Sequence, residues 1–463
     1  MKVSFSSAVW TPLACLLPAL ACGPTPDRGE AGAGAPKPNV LFIVVDTLRA
    51  DRLGAYGHHR PTSPHLDALA NEGMRVPRAL STAPWTTPSI AGLMTSRHPS
   101  SLGIQSEKAI VAEDAVLLAE VLKEAGYNTA AVVSHSFCAS DWGFDQGFDA
   151  FDESNVLGHA AITTEGVTER GKLLLDQVAK QDEPWMLWLH YFDPHCAYVE
   201  DERFPMGGRG EYDGPVTSGE LYRTVLRKYR RYESSDWAEL RRLYDSEIAR
   251  TDAGIGEILD HLARLGVADH TLVVVTADHG EEFHEHNGVG HAKTLYSEVL
   301  HVPLILRFPT AQERFGAALP PAPERWISLI DVAPTVLDVA GVELPPSFAG
   351  RSLLQPKDDD SAMVFGETHR AGGLQTVVDG DFKLIHWRKG RRDNLFDLVQ
   401  DPGETKDLSR DPVHAVILAK LRKALVDHNA ELDRAAIEAP LVENSPEQVE
   451  HLKNLGYAGQ DDE

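Results

Sequence analysis

The sequence predicts an α/β fold with a large, doubly wound, mostly parallel sheet that is covered by helices on both faces. Two observations lead to this prediction: short apolar runs alternate with amphipathic stretches, and acidic residues lie at the carboxyl ends of two of the runs. The chain has 463 residues, of which 43% are hydrophobic and 24% charged, so it is globular and longer than one average domain. We therefore expect one large core and a smaller appendage.

Apolar runs supply the predicted strands of the large sheet. They cover residues 41–45, 129–133, 185–191, 271–276 and 302–307. Stretches with a 3.6-residue period supply the helices between them. The first begins at Ser63 and Pro64, a favourable N-cap and first-turn pair, and ends at Gly73. The other predicted helices cover residues 90–95, 115–124, 235–265 and 331–340.

From about Asp359 the pattern changes to short alternating segments separated by Gly-rich turns. Residues 376–378 and 382–387 are predicted strands, and residues 413–428 form one amphipathic helix. We expect a catalytic domain in residues 39–358 and, in residues 359–463, a small antiparallel sheet with a packing helix. The acidic tail, residues 461–463, is predicted to be frayed.

The N-terminus has the pattern of an export signal followed by a tether. One lysine precedes a weakly apolar stretch, residues 8–21, that is too short to span a bilayer, and a Pro/Gly/Ala-rich run extends to Pro38. Residues 1–21 are the predicted signal peptide and residues 22–38 the flexible tether. Either a soluble form is released after Ala21, or Cys22 is acylated. We favour a periplasmic or outer-membrane lipoprotein of a bacterial cell envelope, which touches membrane only through Cys22.

Charge and cysteine content exclude one class of partner and leave one question open. The formal net charge of −25 argues against nucleic acid, because repulsion would oppose a polyanion, and an anionic substrate would need locally placed cations. Cys138 and Cys196 remain in the mature chain. They either pair in an oxidising compartment or are small buried residues.

The candidate site lies at the carboxyl ends of two predicted strands. Asp46 follows one run, and Asp278-His279 follows another. Two carboxylates and an imidazole at strand ends predict a metal site. Thr86, in a hydroxyl-rich loop of residues 83–89, is the candidate nucleophile. The alternative, that these residues are helix caps, does not explain why a histidine follows Asp278.

Several motifs in one order resemble the sulfatase family of the alkaline phosphatase superfamily over nearly the whole mature chain. The motifs are residues 39–46 (NVLFIVVD), 88–97 (PSIAGLMTSR), 193–195 (DPH), 277–280 (ADHG), 394–398 (NLFDL) and 401–404 (DPGE). The resemblance implies an alkaline phosphatase-like fold and hydrolysis of charged esters. The substrate expected is a small-molecule, glycan-linked or lipid-linked sulfate or phosphate ester.

The chain also departs from the usual sulfatase pattern. The family's nucleophile is a formylglycine made from Cys or Ser, and the matching position is Thr86, so no formylglycine is expected. Thr47 stands where the family has a second aspartate. The family's Lys and His after the next strand fall on Ser134 and Ser136. Thr86 and His279 instead resemble the threonine-nucleophile branch, which includes phosphoethanolamine transferases and phosphodiesterases.

These roles imply a mechanism with a covalent sulfo-enzyme or phospho-enzyme on Thr86. One divalent cation, Zn, Mn or Ca, would be held by the predicted ligands Asp46, Thr86, Asp278 and His279. The predicted donors to the substrate oxygens are His195, His291 and Lys293. Two alternatives stay open: a phosphodiesterase or phospho-group transferase, and a catalytically inactive binding protein.

Three further positions have weaker roles. Arg97 either supports the nucleophile loop or touches substrate. His284 and His286 resemble a metal-binding pair but are expected in a solvated loop.

Overall fold

The structure is a computed structural model that describes residues 37–157, 162–208, 210, 212–316, 321–355, 363–443 and 445–454. The predicted signal peptide, Cys22, nearly all of the tether and the acidic tail lie outside these residues. None of the described helices combines the length and apolar character needed to cross a membrane.

The strands, in chain order, are β1 (Asn39–Val45), β2 (Met74–Leu80), β3 (Asn128–Val132), β4 (Ala150–Asp152), β5 (Trp185–Tyr191), β6 (Thr271–Ala277), β7 (Glu282–Phe283), β8 (Val289–Gly290), β9 (His301–Arg307), β10 (Ile327–Ser328), β11 (Val364–Thr368), β12 (Leu374–Asp379), β13 (Phe382–Trp387) and β14 (Arg392–Asp397). The α-helices are α1 (Pro64–Glu72), α2 (Thr86–Thr95), α3 (Leu118–Glu124), α4 (Thr164–Val178), α5 (Tyr222–Lys228), α6 (Ser234–Arg264), α7 (Ser297–Leu300), α8 (Glu313–Gly316), α9 (Val332–Ala340), α10 (Ala415–Ala435) and α11 (Pro446–Asn454).

The large sheet has the strand order β10-β2-β9-β6-β1-β5-β3-β4. All neighbouring pairs are parallel except those of β9, which runs antiparallel to β2 and β6. Helices α1, α4 and α6 pack together in one layer, and α2, α3 and α9 in another. The predicted fold class is therefore confirmed. The side chains of central strand β1 are apolar and fully buried from Val40 to Val45. Functional side chains therefore have to come from the residues that follow the strand.

Helix α2 begins earlier than the sequence predicts. Residues 83–89 were expected to form a loop and the helix to start at residue 90, but Thr86 is already the first helical residue. The hydroxyls of Thr87 and Ser89 donate to the carbonyls of Phe137 and Asp278, so they do not compete for the backbone of their own helix. Pro88 is tolerated because the first turn of a helix needs no N–H donor.

The C-terminal residues form the predicted antiparallel sheet, in the order β11-β12-β13-β14. One face packs on α10, where Leu384 and Leu395 meet Leu421. Ile385, which points to the other face, packs with Leu300 and Trp326 of the larger unit. Helix α10 extends to Ala435, well beyond the predicted end at residue 428.

Candidate active site

Two buried carboxylates lie side by side at the carboxyl ends of β1 and β6. The register of this parallel pair brings Asp46 and Asp278 together, and neither side chain is exposed. The amides of Thr47 and His279 donate to Asp278 Oδ1 at 3.2 and 2.8 Å. By contrast, neither oxygen of Asp46 has a hydrogen-bond donor among the described residues.

His279 completes this group and its hydrogen bonding defines its tautomer. Its Nδ1 lies 2.9 Å from the Gly280 carbonyl, which can only accept, so Nδ1 carries a proton and the neutral ring presents its lone pair at Nε2. That Nε2 lies 3.6 Å from Asp46 Oδ1 and 3.4 Å from Asp278 Oδ2.

Asp46, Asp278 and His279 fit a divalent cation. Ligand atoms of the three residues lie within 4.8 Å of one another. Both oxygens of Asp46 and Oδ2 of Asp278 are buried and have no hydrogen-bond donor in the described part of the chain. Buried carboxylates without donors are costly, and two carboxylates with one imidazole form a donor set that zinc and manganese accept.

Thr86 lies next to this group at the N-terminus of α2. Its Oγ1 is buried, 3.5 Å from His279 Nε2. Ser89, one turn further on, donates to the Asp278 carbonyl at 2.6 Å and thereby ties the helix to the end of β6. Since the N-terminal end of a helix favours negative charge, this position suits an anionic ester beside the hydroxyl.

A third buried carboxylate, Glu281, holds His291. Glu281 Oε1 lies 3.0 Å from His291 Nδ1, and Oε2 accepts a hydrogen bond from the Tyr198 hydroxyl at 3.0 Å. The His291 ring is 4.6 Å from the ring of His279. With Glu281 ionised, Nδ1 of His291 donates and Nε2 has the lone pair. Glu281 directly follows the ADHG motif of residues 277–280, but the sequence analysis assigned it no role.

His195 lies on the other side of His291, with ring centroids 5.1 Å apart. Its Nδ1 is 2.8 Å from the carbonyl of Cys196, so its Nε2 also carries a lone pair when the ring is neutral. The neighbouring Asp193 accepts hydrogen bonds from the amides of Thr163 and Thr164 at the start of α4. As neutral rings, His195 and His291 accept protons, and they become the predicted donors only after protonation.

Two further histidines at the site were missed. His135 is fully buried and its Nε2 lies 3.9 Å from Asp46 Oδ2. His190, on β5, is fully buried as well, and its ring lies 6.5 Å from that of His135. The family pattern directed attention to Ser134 and Ser136, which flank His135. The available signal for His135 was its position just after the buried apolar run of residues 129–133, with only Ser134 between them.

Burial sets the protonation of the site. It raises the pKa of Asp46 well above its usual value, with further contributions from the charges of Asp278 and Glu281. Burial also raises the pKa of Asp278 and of Glu281. The same effect lowers the pKa of His195 to about 3 and that of His291 well below its usual value. Without a cation, the site therefore holds crowded acids beside neutral imidazoles.

Lys293 marks the outer rim of the site and is exposed. Burial of part of the side chain, followed by the charge of Arg370, lowers its pKa. Arg370 lies 4.9 Å above the ring of Trp85 and forms an ion pair with Glu107. Thr86 is fully buried, His291 is 7% exposed and Lys293 is exposed. The site therefore opens to solvent on the side of Lys293.

Two arginines near site residues in the sequence are held by other groups, and Arg49 donates to the carbonyl of Glu281 at 2.9 Å. Arg97 follows the carboxyl end of α2 and donates to the carbonyls of Ser101 and Ala435, so it does not reach the ester position. Arg49 pairs with Asp51 and Glu285.

The two loop histidines are stacked rather than solvated, which corrects that expectation. His284 stacks on Trp237 at 4.8 Å and His286 on Tyr296 at 3.5 Å. His286 also lies 2.6 Å from a carboxylate oxygen of Glu298.

Both cysteines have free thiols. Cys138 and Cys196 are buried and are not joined by a disulfide. The alternative of small buried residues therefore describes them.

Comparison with known proteins identifies the family. A profile of the sulfatase family matches residues 38–342, and a profile of the C-terminal region of N-sulphoglucosamine sulphohydrolase matches residues 285–431. The ulvan-active sulfatase of Formosa agariphila is 25% identical over 436 residues, which cover 84% of this chain and 81% of the relative.

Solved structures share the fold. BT4656, in complex with its substrate D-glucosamine-2-N,6-O-disulfate, has a TM-score of 0.71 at 20% identity and covers 86% of this chain and 98% of its own. The phosphonate monoester hydrolase of Agrobacterium radiobacter has a TM-score of 0.69 at 21% identity, with 86% and 96% covered.

The crowded acids lead to a prediction for metal-free protein. After chelation, Asp46→Asn is expected to raise the free energy of unfolding at about pH 7 by more than about 1 kcal/mol. A carboxyl group whose pKa is higher in the folded than in the unfolded state destabilises the folded protein most when the pH is above both pKa values. The increase in the free energy of unfolding caused by Asp46→Asn should therefore grow as pH rises from about 4 through the folded-state pKa. Thermal unfolding of both proteins across this range measures it.

Asp260→Asn, an exposed acid on α6, is the control and should change stability little. A loss of stability in Asp46→Asn at every pH would contradict the prediction.

Proposed function

This chain belongs to the sulfatase family, and we propose that it is an exported, metal-dependent hydrolase of sulfate or phosphate esters that uses Thr86 as its nucleophile. The observation that carries the proposal is the position of the Thr86 hydroxyl, 3.5 Å from His279 Nε2, which in turn lies 3.6 and 3.4 Å from carboxylate oxygens of Asp46 and Asp278. A threonine that only capped α2 would not need three buried ligand groups around it.

The reaction proposed has two steps. The Thr86 oxygen bonds to the sulfur or phosphorus of the ester while the bond from that centre to the leaving oxygen breaks. The hydroxyl proton passes to an imidazole Nε2 and from there to the leaving oxygen. Water then attacks the sulfur or phosphorus and gives a proton to the same imidazole, while the bond from that centre to the Thr86 oxygen breaks. The imidazole returns the proton to the Thr86 oxygen, and the oxyanion product leaves.

His291 suits this proton transfer. Glu281 fixes its Nδ1 at 3.0 Å and would stabilise the imidazolium that forms when Nε2 takes up a proton. His195 offers a second Nε2 in contact with the first ring. Lys293, at the rim, would bind an anionic part of the ester when its amine is protonated.

Asp46, Asp278 and His279, with Thr86 as the fourth predicted ligand, would hold one divalent cation. When bound, that cation supplies Lewis-acid stabilisation of negative charge on the nucleophile and the ester oxygens. Imidazole in the ligand set favours zinc or manganese over calcium.

The substrate proposed carries a single negative charge at the reacting centre. Three buried carboxylates surround the site, while the nearby cations Lys293 and Arg370 lie at its rim. A sulfate monoester or a phosphodiester therefore fits better than a dianionic phosphomonoester. Family membership favours a sulfate ester. Thr86 favours the second candidate, a phosphodiesterase or phospho-group transferase resembling phosphoethanolamine transferases.

Replacement of Thr86 tests the nucleophile. Thr86→Ala should lower kcat at least about a thousand-fold on whichever aryl ester is turned over, because no covalent intermediate forms. Thr86→Ser should retain activity. Aryl sulfate, aryl phosphodiester and aryl phosphate are the substrates to compare, with mass spectrometry of the trapped peptide to identify a sulfo or phospho adduct.

Thr87→Ala is the matched control, since the Thr87 hydroxyl donates to the Phe137 carbonyl and not to the site. Full turnover by Thr86→Ala would exclude this nucleophile. No turnover of any ester, without bound metal, would leave the inactive binding protein.

Metal binding has a readout that is independent of turnover. Zinc or manganese added to chelated protein should raise the melting temperature and restore activity, because an ion that binds only the folded chain stabilises it. Asp278→Asn should abolish both effects, whereas Asp260→Asn should not. Equal metal-induced stabilisation of the wild type and Asp278→Asn would place the ion elsewhere.

Export is part of the same proposal and rests on the N-terminal pattern alone. If Cys22 is acylated, the wild type should fractionate with bacterial membranes and Cys22→Ser should become soluble after processing. Unchanged membrane fractionation of Cys22→Ser would refute the anchor, and retention of both proteins in the cytoplasm would refute export.

A further inference from the structure

A cavity of about 1200 Å³ lies at the carboxyl end of α2, the end opposite Thr86. The ten residues of α2 account for a rise of about 15 Å between the two places. Its walls come from the segment that leads into α9, from residues 346–355, from β11 and from the second half of α10. No residue of the active site lines it, so its role has to be sought separately.

Three arginines, Arg97, Arg325 and Arg351, line this cavity. Within the described part of the chain, none of them forms an ion pair with a carboxylate. Arg97 donates to the carbonyls of Ser101 and Ala435, and Arg325 donates to the carbonyl of Trp326 at 3.1 Å. No guanidinium group of the three is therefore in direct contact with a carboxylate of the described chain.

The two carboxylates that also line the cavity do not pair with these arginines. Asp331 accepts hydrogen bonds from the backbone amides of Arg351 at 2.9 Å and Ser328 at 3.2 Å. Glu431 is exposed on α10. In a chain with a formal net charge of −25, this cavity is a local exception with more cations than anions.

Partial burial makes these positive charges costly. It lowers the pKa of Arg97 and of Arg325, and the charge of Arg351 lowers the pKa of Arg325 further, although Asp331 opposes this. A guanidinium removed from water without a counter-charge is destabilised. Its planar set of donors matches the oxygens of a sulfate or phosphate group, which would supply that counter-charge.

An aromatic wall lies beside the arginines. The rings of Phe365 and His428 stack with centroids 3.8 Å apart, and His98 meets His428 edge-on at 4.5 Å. Burial lowers the pKa of His428 to about 4 and that of His98 well below its usual value, so both rings are neutral at neutral pH. A flat uncharged surface next to cations suits a ring-shaped organic ligand with an anionic substituent.

We propose that this cavity is a second ligand site that binds a sugar carrying a tetrahedral oxyanion, through the guanidinium groups of Arg325, Arg351 and Arg97 and the aromatic wall. The volume exceeds that of a typical pocket for a drug-sized molecule, roughly 300–1,000 Å³, so a monosaccharide or disaccharide fits. The site goes beyond the proposed hydrolysis, because it binds without reacting and does not involve Thr86.

Calorimetry with Thr86→Ala in the presence of a chelator tests the site without turnover. The probes are glucosamine 6-sulfate, glucose 6-phosphate and glucose. A charged probe should bind and glucose should not, and the tighter of the two charged probes identifies the ester. Arg325→Ala with Arg351→Ala should weaken binding at least about tenfold, since both guanidinium contacts are lost. The Arg→Lys pair should weaken it less.

Arg264→Ala is the charge-matched control, because Arg264 is exposed at the end of α6 and distant in the fold. Circular dichroism checks folding, and the single replacements at Arg325 and Arg351 serve if the double variant does not fold. Equal affinity in the arginine variants, equal binding of glucose, or no binding of either charged probe would overturn the proposal.

The sequence itself provides one more test. Asp358, Asp359 and Asp360 lie between Gln355 and Met363, which both line the cavity, although these aspartates are outside the described residues. If a probe binds only after all three are changed to Asn, the chain neutralises its own arginines and the proposal is wrong. Similar binding with and without the three changes supports it.

Discussion

The parallel pairing of β1 with β6 is the constraint on which the site depends. It places Asp46 and Asp278 together at the carboxyl ends of two central strands, where neither side chain is exposed to water. Two carboxylates in that position repel each other and have lost solvation, and Glu281 adds a third negative group nearby. Hydrogen bonds offset this cost for Asp278 but not for Asp46. A bound cation would offset the repulsion and the lost solvation. The two acids and the imidazole of His279 therefore form one candidate metal-binding group.

The histidines around this edge share one pattern of hydrogen bonding. His195 and His279 donate from Nδ1 to backbone carbonyls, and His291 contacts Glu281 through Nδ1. Each ring thus turns Nε2 and its lone pair away from the partner that fixes it. Burial keeps His195 and His291 neutral. The site therefore has many proton acceptors and metal ligands but few hydrogen-bond donors for an anionic substrate. Positive charge for an anionic substrate has to come from a bound ion and from the rim.

The small C-terminal sheet also supports the loop that carries His291. Thr368, at the end of β11, donates to the carbonyl of Ala292 at 3.0 Å. Glu404 accepts a hydrogen bond from the Ser297 amide at 2.6 Å, and its other oxygen lies 2.8 Å from the ammonium of Lys383, which is fully buried. Removing either partner of a buried pair is more costly than losing a surface contact. The C-terminal unit is therefore part of the architecture of the site.

The sequence by itself determined the fold class, the acids at the two strand ends and some of the strands, namely β1, β3, β5, β6, β9, β12 and β13. These follow from local patterns: β5 coincides with the apolar run at residues 185–191, and a residue after a buried parallel strand must lie at the sheet edge. The register of β1 on β6 is a long-range property, and the observed pairing of Val45 with Ala277 is what places Asp46 beside Asp278.

Only the tertiary structure decided which other side chains join them. His135 enters the site because the segment after β3 approaches it from a distant part of the chain, and no local pattern encodes that approach. Glu281 follows His279 closely in the sequence, but its contact with His291 is set by the fold of the loop. The sequence placed Arg97 beside the nucleophile loop, but the length of α2 carries it to the opposite end, into a cavity formed with Arg325 and Arg351. Histidine tautomers and buried charges depend on such contacts, and contacts between distant segments are set by packing.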